Sequence, residues 1–386
     1  MLEVSTSLHS LPAAVGGPFV VAPESSQASF SVLSANRPAE HALWVAFWDS
    51  WPGREVFAHP DYVRLFAGRD AEPVCACWNG GPDQTKVLYP MLLRSLSGGE
   101  CWGGAAGSAS DLVTPYGYGG PFAWDIHVAE REPQRFWQHF EAWARSRGVV
   151  SEFVRFSLFP QQVLPHPGVR RTDRNNVVCD LTLDEDALWK GYKHKVRKNV
   201  NKAQRSGVRI ELDTRGERLV DFLRVYHHTM QRREAGESYY FGPEFFERLR
   251  ADLAGQFAYF HAIHQGRIIS TELVLISAEA VYSFLGGTIE EAFDVRPNDL
   301  LKHEVIRWAK AQGKRYFVLG GGYDPDDGIF QYKTAFAPQG IVAFQVGERV
   351  FDSERYEVLV AAKRTFLARQ GKVWEPRERY FPAYRS

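Results

Sequence analysis

The chain has 386 residues, carries 46 Lys+Arg against 46 Asp+Glu, and is 45% hydrophobic and 14% aromatic. That length suits two domains, and the apolar share argues against wholesale disorder. The formal charge of zero excludes a uniformly basic nucleic-acid coat but leaves room for a local basic patch.

Met1 to Gly17 has neither a basic n-region nor a sustained apolar run, so no signal peptide is expected. Residues 1–35 read as a partly ordered leader, polar and small from Ser25 to Ser34. Trp78-Asn79-Gly80-Gly81 before KVLYPMLLR is a hairpin signal. Thr114 to Pro121 (TPYGYGGP) packs glycines and aromatics together. Glycines let a backbone approach a ligand, while Tyr116 and Tyr118 offer rings and hydroxyls; a tight structural turn explains the segment equally well. Phe136, Phe140 and Trp143 then mark one face of a helix, followed by the strand SEFVRFSLF. FPQQVLPHP breaks any regular element, which sets a domain boundary near 160–167 and domains at 36–165 and 166–386.

After the strand NNVVCDLTL come two helical stretches, Asp184 to Ser206 and Arg218 to Arg233, and a third helix from Pro243 to Leu253. The first is cationic: eight Lys and Arg lie between Lys190 and Arg209, with no acid among them. Its apolar residues recur at four and three, giving one core face and one basic face. A solvated helix normally interleaves acids to gain i,i+4 pairs, so Arg197 and Lys198 are candidates for contact with a polyanion: a nucleotide diphosphate, an RNA backbone or a lipid headgroup.

Downstream, the first half is echoed. His264-Gln265-Gly266 is a second hairpin, Gly286-Gly287 a second double glycine, and WAKAQG at Trp308 repeats WARSRG at Trp143 at an offset of 165 residues (308 − 143). The shared order of elements favours a duplicated α+β domain with extra helices in the second copy. Leu319 to Asp324 follows a strand with three glycines, so backbone N–H groups of Gly321 and Gly322, beside Tyr323, can face a phosphate or oxyanion. Lys333 sits among Phe330, Tyr332 and Phe336. An ammonium in apolar company meets an anion with little competing water, although a snorkelling surface lysine has the same pattern. Asp111 and Asp324 are candidate proton acceptors. H-E-x-x-H, C-x-x-C and EF-hand patterns are missing, and Cys75, Cys77, Cys101 and Cys179 lack zinc spacing, so no metal or other cofactor is expected and a reducing cytoplasmic setting is.

RPNDLLKHEVIRWAKAQGKRYFVLGGG, DDGIFQYKTAFAPQG, LVTPYGYGGPF and YKHKVRKNVNKAQRSGV together resemble the Fem family (FemABX) and its FemAB-like GNAT relatives, from about Phe47 to about Gly347. The resemblance implies two tandem GNAT-like domains with a basic helix inserted at about 184–206. It implies transfer of an aminoacyl group from aminoacyl-tRNA to the peptide of a UDP-linked or lipid-linked peptidoglycan precursor, with at most peripheral membrane contact. It assigns phosphate or oxyanion stabilisation to Lys333, with Tyr332 in the aromatic place. Arg233, Tyr239 and Tyr240 match its precursor-binding segment, and Asn298 lies in its closing-helix motif. Two other readings compete: a GNAT N-acyltransferase using acyl-CoA or an acyl carrier, against which stands the missing [QR]-x-x-G-x-[GA] loop, and a non-catalytic binder working through the basic helix.

Overall fold

A computed structural model describes residues 28–81, 84–126, 131–322 and 327–386. The first copy runs β1 (Ser29–Ser34), α1 (Pro38–Asp49), α2 (Pro60–Leu65), β2 (Ala71–Asn79), β3 (Lys86–Ser95), β4 (Ser110–Val113), β5 (Phe122–Trp124), α3 (Arg131–Ser146) and β6 (Val149–Arg155). β7 (Val169–Asp180), α4 (Glu185–Gly191) and α5 (His194–Arg205) follow. The second copy runs β8 (Arg209–Asp213), α6 (Leu219–Arg232), α7 (Pro243–Asp252), β9 (Phe257–His264), β10 (Arg267–Ile276), β11 (Ala280–Thr288), α8 (Pro297–Ala311) and β12 (Tyr316–Gly321). The chain continues through α9 (Gly328–Thr334), β13 (Ile341–Val350) and α10 (Ser353–Arg369).

The described strands form one 13-stranded sheet, ordered β1-β2-β3-β4-β6-β13-β7-β12-β11-β10-β9-β8, with β5 beside β3. Read inward from its two edges, the sheet has the same pattern twice. Three antiparallel pairings are followed by one parallel pairing, β4 with β6 or β11 with β12, and then by an antiparallel sixth strand. The sixth strand is exchanged in sequence: β13, from the end of the chain, completes the first copy beside β6, while β7 completes the second beside β12. β7 and β13 pair with each other and close the seam.

The hairpins expected at Asn79-Gly80 and Gln265-Gly266 are β2–β3 and β9–β10. α3 buries Phe136 and Phe140, and α8 buries Leu301 and Val305, as their spacing predicts, while Trp143 and Trp308 pack half-buried against the same cores. α6 is the counterpart of α1, so of the two stretches read as inserted only the first, α4 and α5, is extra to the repeat. Ser29–Ser34, inside the expected leader, is a strand, because Phe30 and Val32 alternate onto the first copy's core. Gly286 and Gly287 serve close packing: a Cβ at Gly287 would meet Thr229 Oγ1 of α6 at 2.2 Å, and one at Gly286 would meet the Thr271 carbonyl at 2.5 Å. The seam has its own core, in which Val56, Phe57 and Tyr62 of the first copy pack with Tyr282, Leu285 and Val318 of the second.

Candidate active site

In each parallel pair at least one strand runs on past the last paired residue. β4 and β6 are paired up to Val113 and Phe153, and β11 and β12 only over Ala280–Tyr282 and Tyr316–Val318. The residues just past these points, Tyr116 to Tyr118 with Arg155 and Ser283 with Leu319 to Gly322, line one cavity of about 860 Å³ between the copies. Of the residues expected from sequence, Tyr116, Tyr118, Tyr239, Gly321, Gly322 and Lys333 meet in it.

Lys333 is placed by α9, a two-turn helix capped by Asp327, whose Oδ1 accepts from Phe330 N at 2.5 Å. Its Nζ donates to the Gly321 carbonyl at 2.6 Å, which leaves two of three ammonium donors for a ligand. Burial, then the like charge of Lys302, hold its pKa down at about 8, while Glu272 and Asp327 push the other way. Gly320 adopts φ +81, and a Cβ there would lie 3.3 Å from Lys333 Nζ, 3.7 Å from Tyr118 OH and 3.9 Å from Asn176 Oδ1. The glycine thus lets a lysine from α9, a tyrosine from the first copy and an asparagine from β7 converge on one stretch of backbone. Tyr118 OH donates to Asn176 Oδ1 at 2.7 Å. Burial pushes the Tyr116 and Tyr118 phenols upward, so both remain neutral hydroxyls.

Behind the floor lies a buried pair. Lys302 Nζ meets Glu272 Oε1 at 2.5 Å and donates to Ser283 Oγ at 3.0 Å. Because Ser283 Oγ accepts from an ammonium, its own O–H is available as a donor at the cavity wall.

The cavity is cationic. Arg94, Arg155, Arg171, Arg174 and Arg379 line it with Lys333, and Asp173 is the acid in its wall. Arg94 pairs with Asp111 at 2.7 Å, Arg171 with Glu348 at 2.8 Å and Arg174 with Asp173 at 2.8 Å. Among the described residues Arg155, Arg379 and Lys333 have no carboxylate within 4 Å, whereas the other three cations are paired. Arg155 has no carboxylate within 4 Å among the described residues; it donates to the Thr114 carbonyl at 3.1 Å and lies over the Phe153 ring. Burial lowers its pKa, but a guanidinium stays charged and calls for an anion. These arginines escaped sequence reasoning. Only the run RRTDR hinted at them, and alternation there puts Arg171 and Arg174 on opposite faces. A bulge at Asp173, where β7 carries one residue more than β13 between Thr172 and Arg174, turns both to the cavity.

The other expected residues lie elsewhere. Asp111 is fully buried behind the wall, held by Arg94, by Arg385 Nε at 2.5 Å and by Tyr384 OH at 3.2 Å. Tyr332 points away from the cavity; its OH donates to the carbonyl of Asn298 at 3.2 Å and its ring packs on Phe336. Arg197 satisfies the carbonyl end of α4, donating to Lys190 O at 2.9 Å and to Tyr192 O. Lys198 lies on the exposed face of α5, in a separate groove beside Trp189 and Asn201. Arg233 is exposed at the end of α6, and Tyr240 is exposed outside the cavity. Tyr323 and Asp324 lie outside the described residues. Among the described residues no group of three or more His, Cys, Asp and Glu is arranged to hold a metal ion, and no helix is long and apolar enough to cross a membrane.

The acetyltransferase (GNAT) domain family matches residues 190–334, a span that opens at the end of α4 and closes on α9 just past Lys333. No curated protein matches the chain by sequence. Among solved structures it is similar to FemX, with a TM-score of 0.60 and 12% identity over 82% of this chain and 98% of that one. It is also similar to L-PGS from Bacillus licheniformis, with a TM-score of 0.51 and 13% identity over 85% of this chain and 96% of that one. A third likeness is the C-terminal domain (DUF2156) of a putative lysylphosphatidylglycerol synthetase from Agrobacterium fabrum, with a TM-score of 0.50 and 14% identity over 85% of this chain and 97% of that one. At these identities the likeness is one of fold. The domain match thus marks residues 190–334 as similar to the GNAT acetyltransferase domain, and the chain as a whole, with its duplicated sheet, shares the fold of FemX.

Proposed function

We propose that this protein is an aminoacyltransferase that carries an amino acid from an aminoacyl-tRNA to the stem-peptide amine of a peptidoglycan precursor. The observation that carries this reading is the set of five arginines and Lys333 around one inter-domain cavity, with Arg155 unmatched by any described carboxylate. Such a cavity suits an acceptor bearing phosphate groups, as nucleotide-linked and lipid-linked precursors do. FemX-like architecture and the synthetase likeness support an aminoacyl donor.

The chemistry needs little beyond placement. The neutral acceptor amine attacks the ester carbonyl, a C–N bond forms and the C–O bond to the tRNA ribose breaks. The proton lost by the amine goes to the departing ribose oxygen. Negative charge gathers on the carbonyl oxygen in the tetrahedral intermediate, and the Lys333 ammonium and the Ser283 hydroxyl are the donors at hand.

A thioester-using acyltransferase is the second reading, favoured by the acetyltransferase family match. Against it, the first turn of α8 already holds the buried Asp299 carboxyl, where a pyrophosphate would need bare N–H groups. The test is a transfer assay with a panel of charged tRNAs, an acyl-CoA and an acyl carrier, read by mass shift of a muropeptide. Ribonuclease treatment should abolish transfer. Transfer that survives ribonuclease and needs the thioester overturns the reading.

A further inference from the structure

The basic helix is separate from the cavity and needs its own explanation. On α5, Lys195, Lys198, Lys202 and Arg205 follow at intervals of three, four and three, all exposed, with Lys193 and Arg209 exposed at the two ends. None of these six has an acidic oxygen within 4 Å among the described residues, while Arg215, Arg218, Arg307 and Arg315 elsewhere on the second copy each have one. The stripe is held in place from beneath. Val196, Val200 and Ala203 pack into the core with Leu301 and Val305 of α8, and Asn199 Nδ2 donates to Asp299 Oδ1 at 3.2 Å. Like charges fixed along one helix repel one another, and among the described residues only Asp299 faces the stripe, acting on Lys195 from beyond 4 Å.

Two neighbours say what fits there. A groove of about 480 Å³ flanks the stripe, lined by Trp189, His194 and Asn201 together with Arg197, Lys198 and Arg205. Rings and amide groups beside a cation row suit stacked bases and a phosphate backbone. No large apolar side chain is exposed on α5 to enter a bilayer. In addition, the start of α5 abuts the end of α9, with Lys193 N donating to the Ala335 carbonyl at 2.8 Å, two residues beyond Lys333.

We infer that the exposed face of α5 is an RNA docking surface that tracks the backbone of the donor and leads its acyl-bearing end toward α9. From Lys195 to Arg205 the stripe extends about 15 Å at 1.5 Å per residue. This rests on the reading of aminoacyl-tRNA as donor. Arg197 lines the groove as well, but its guanidinium is engaged by the carbonyls that end α4.

The test is fluorescence anisotropy of labelled tRNA across a salt series, with the wild-type chain, the Lys195→Glu/Lys198→Glu/Lys202→Glu variant, and a control with three reversals on other faces (Arg215→Glu, Arg364→Glu, Lys372→Glu). Circular dichroism checks that each is folded. The α5 variant should bind at least tenfold more weakly near physiological salt. The slope of log affinity against log salt should flatten by about one per lost phosphate contact. The control should bind as wild type does. Equal binding and slope for the folded α5 variant, with tRNA binding by wild type intact, overturns the docking surface while the donor assignment stands. Failure of wild type to bind tRNA overturns both. Binding of wild type to phosphatidylglycerol vesicles but not to tRNA makes the face a lipid contact and also overturns the inference.

Discussion

Lys333 is the residue on which the proposed chemistry turns, and its environment makes that role measurable. The ammonium is held at about 8, first by burial and then by Lys302, with Glu272 and Asp327 opposing. If the charged form steadies the oxyanion, kcat falls as pH rises through about 8. Replacing both members of the buried pair, Lys302→Met with Glu272→Gln, removes the larger depressing charge along with the smaller supporting one. The alkaline limb should then move to higher pH; an unmoved limb would separate Lys333 from the observed titration. Ser283→Ala should lower kcat with KM little changed, by roughly tenfold or more if its hydroxyl meets the oxyanion. The same scale shows what the sequence could tell. Lys333, Tyr116 and Tyr118 stood out because aromatic and glycine-rich company marks a residue locally. Arg94, Arg155 and Arg379 did not, since each is an ordinary arginine until the sheet brings it to the cavity from a different part of the chain.

At the scale of elements, the repeat was readable because hairpins, helix stripes and capping glycines are local signals. The break between α4 and α5 was not. The continuous four-and-three spacing from Leu188 to Ala203 suits one helix, yet Tyr192 is extended at φ −63, ψ 143, and Arg197 reaches back to the freed carbonyls. The polar satisfaction of a helix end thus depends on a side chain that the charge pattern alone assigns to a ligand. Arg197→Ala should therefore cost stability, about 1–2 kcal/mol in denaturant unfolding, for the charge-assisted bonds lost at the end of α4. It should change RNA affinity far less than Lys198→Ala does. The opposite ranking would return Arg197 to the binding face.

At the scale of the whole molecule, the exchanged strands β7 and β13 make the two copies one cooperative unit. Sequence could show the duplication but not the exchange, since both strands lie outside the repeated stretch and pair with partners far away along the chain. A fragment ending at Pro165 lacks β13 and leaves β6 with an open edge, so it should aggregate or remain unfolded in circular dichroism. The seam also carries a titratable device. Glu55 is fully buried between the copies, accepting from Tyr282 OH at 2.8 Å, and burial pushes its carboxyl from 4.5 up to about 7. The folded chain keeps a proton that the unfolded chain gives up near 4.5, so this contribution to stability is complete below that pH and is lost as pH rises through about 7. Glu55→Gln should accordingly raise Tm at pH 8 relative to wild type and give no such gain at pH 4.5. All of these elements serve one cleft, and its central claim has a direct test: single-turnover transfer from aminoacyl-tRNA to a UDP-linked muropeptide, followed by mass, for wild type and Lys333→Met. The account predicts transfer by wild type, and a loss of about 10²–10³-fold in rate for a Lys333→Met protein that melts normally and still binds tRNA. Full transfer by that variant would contradict it.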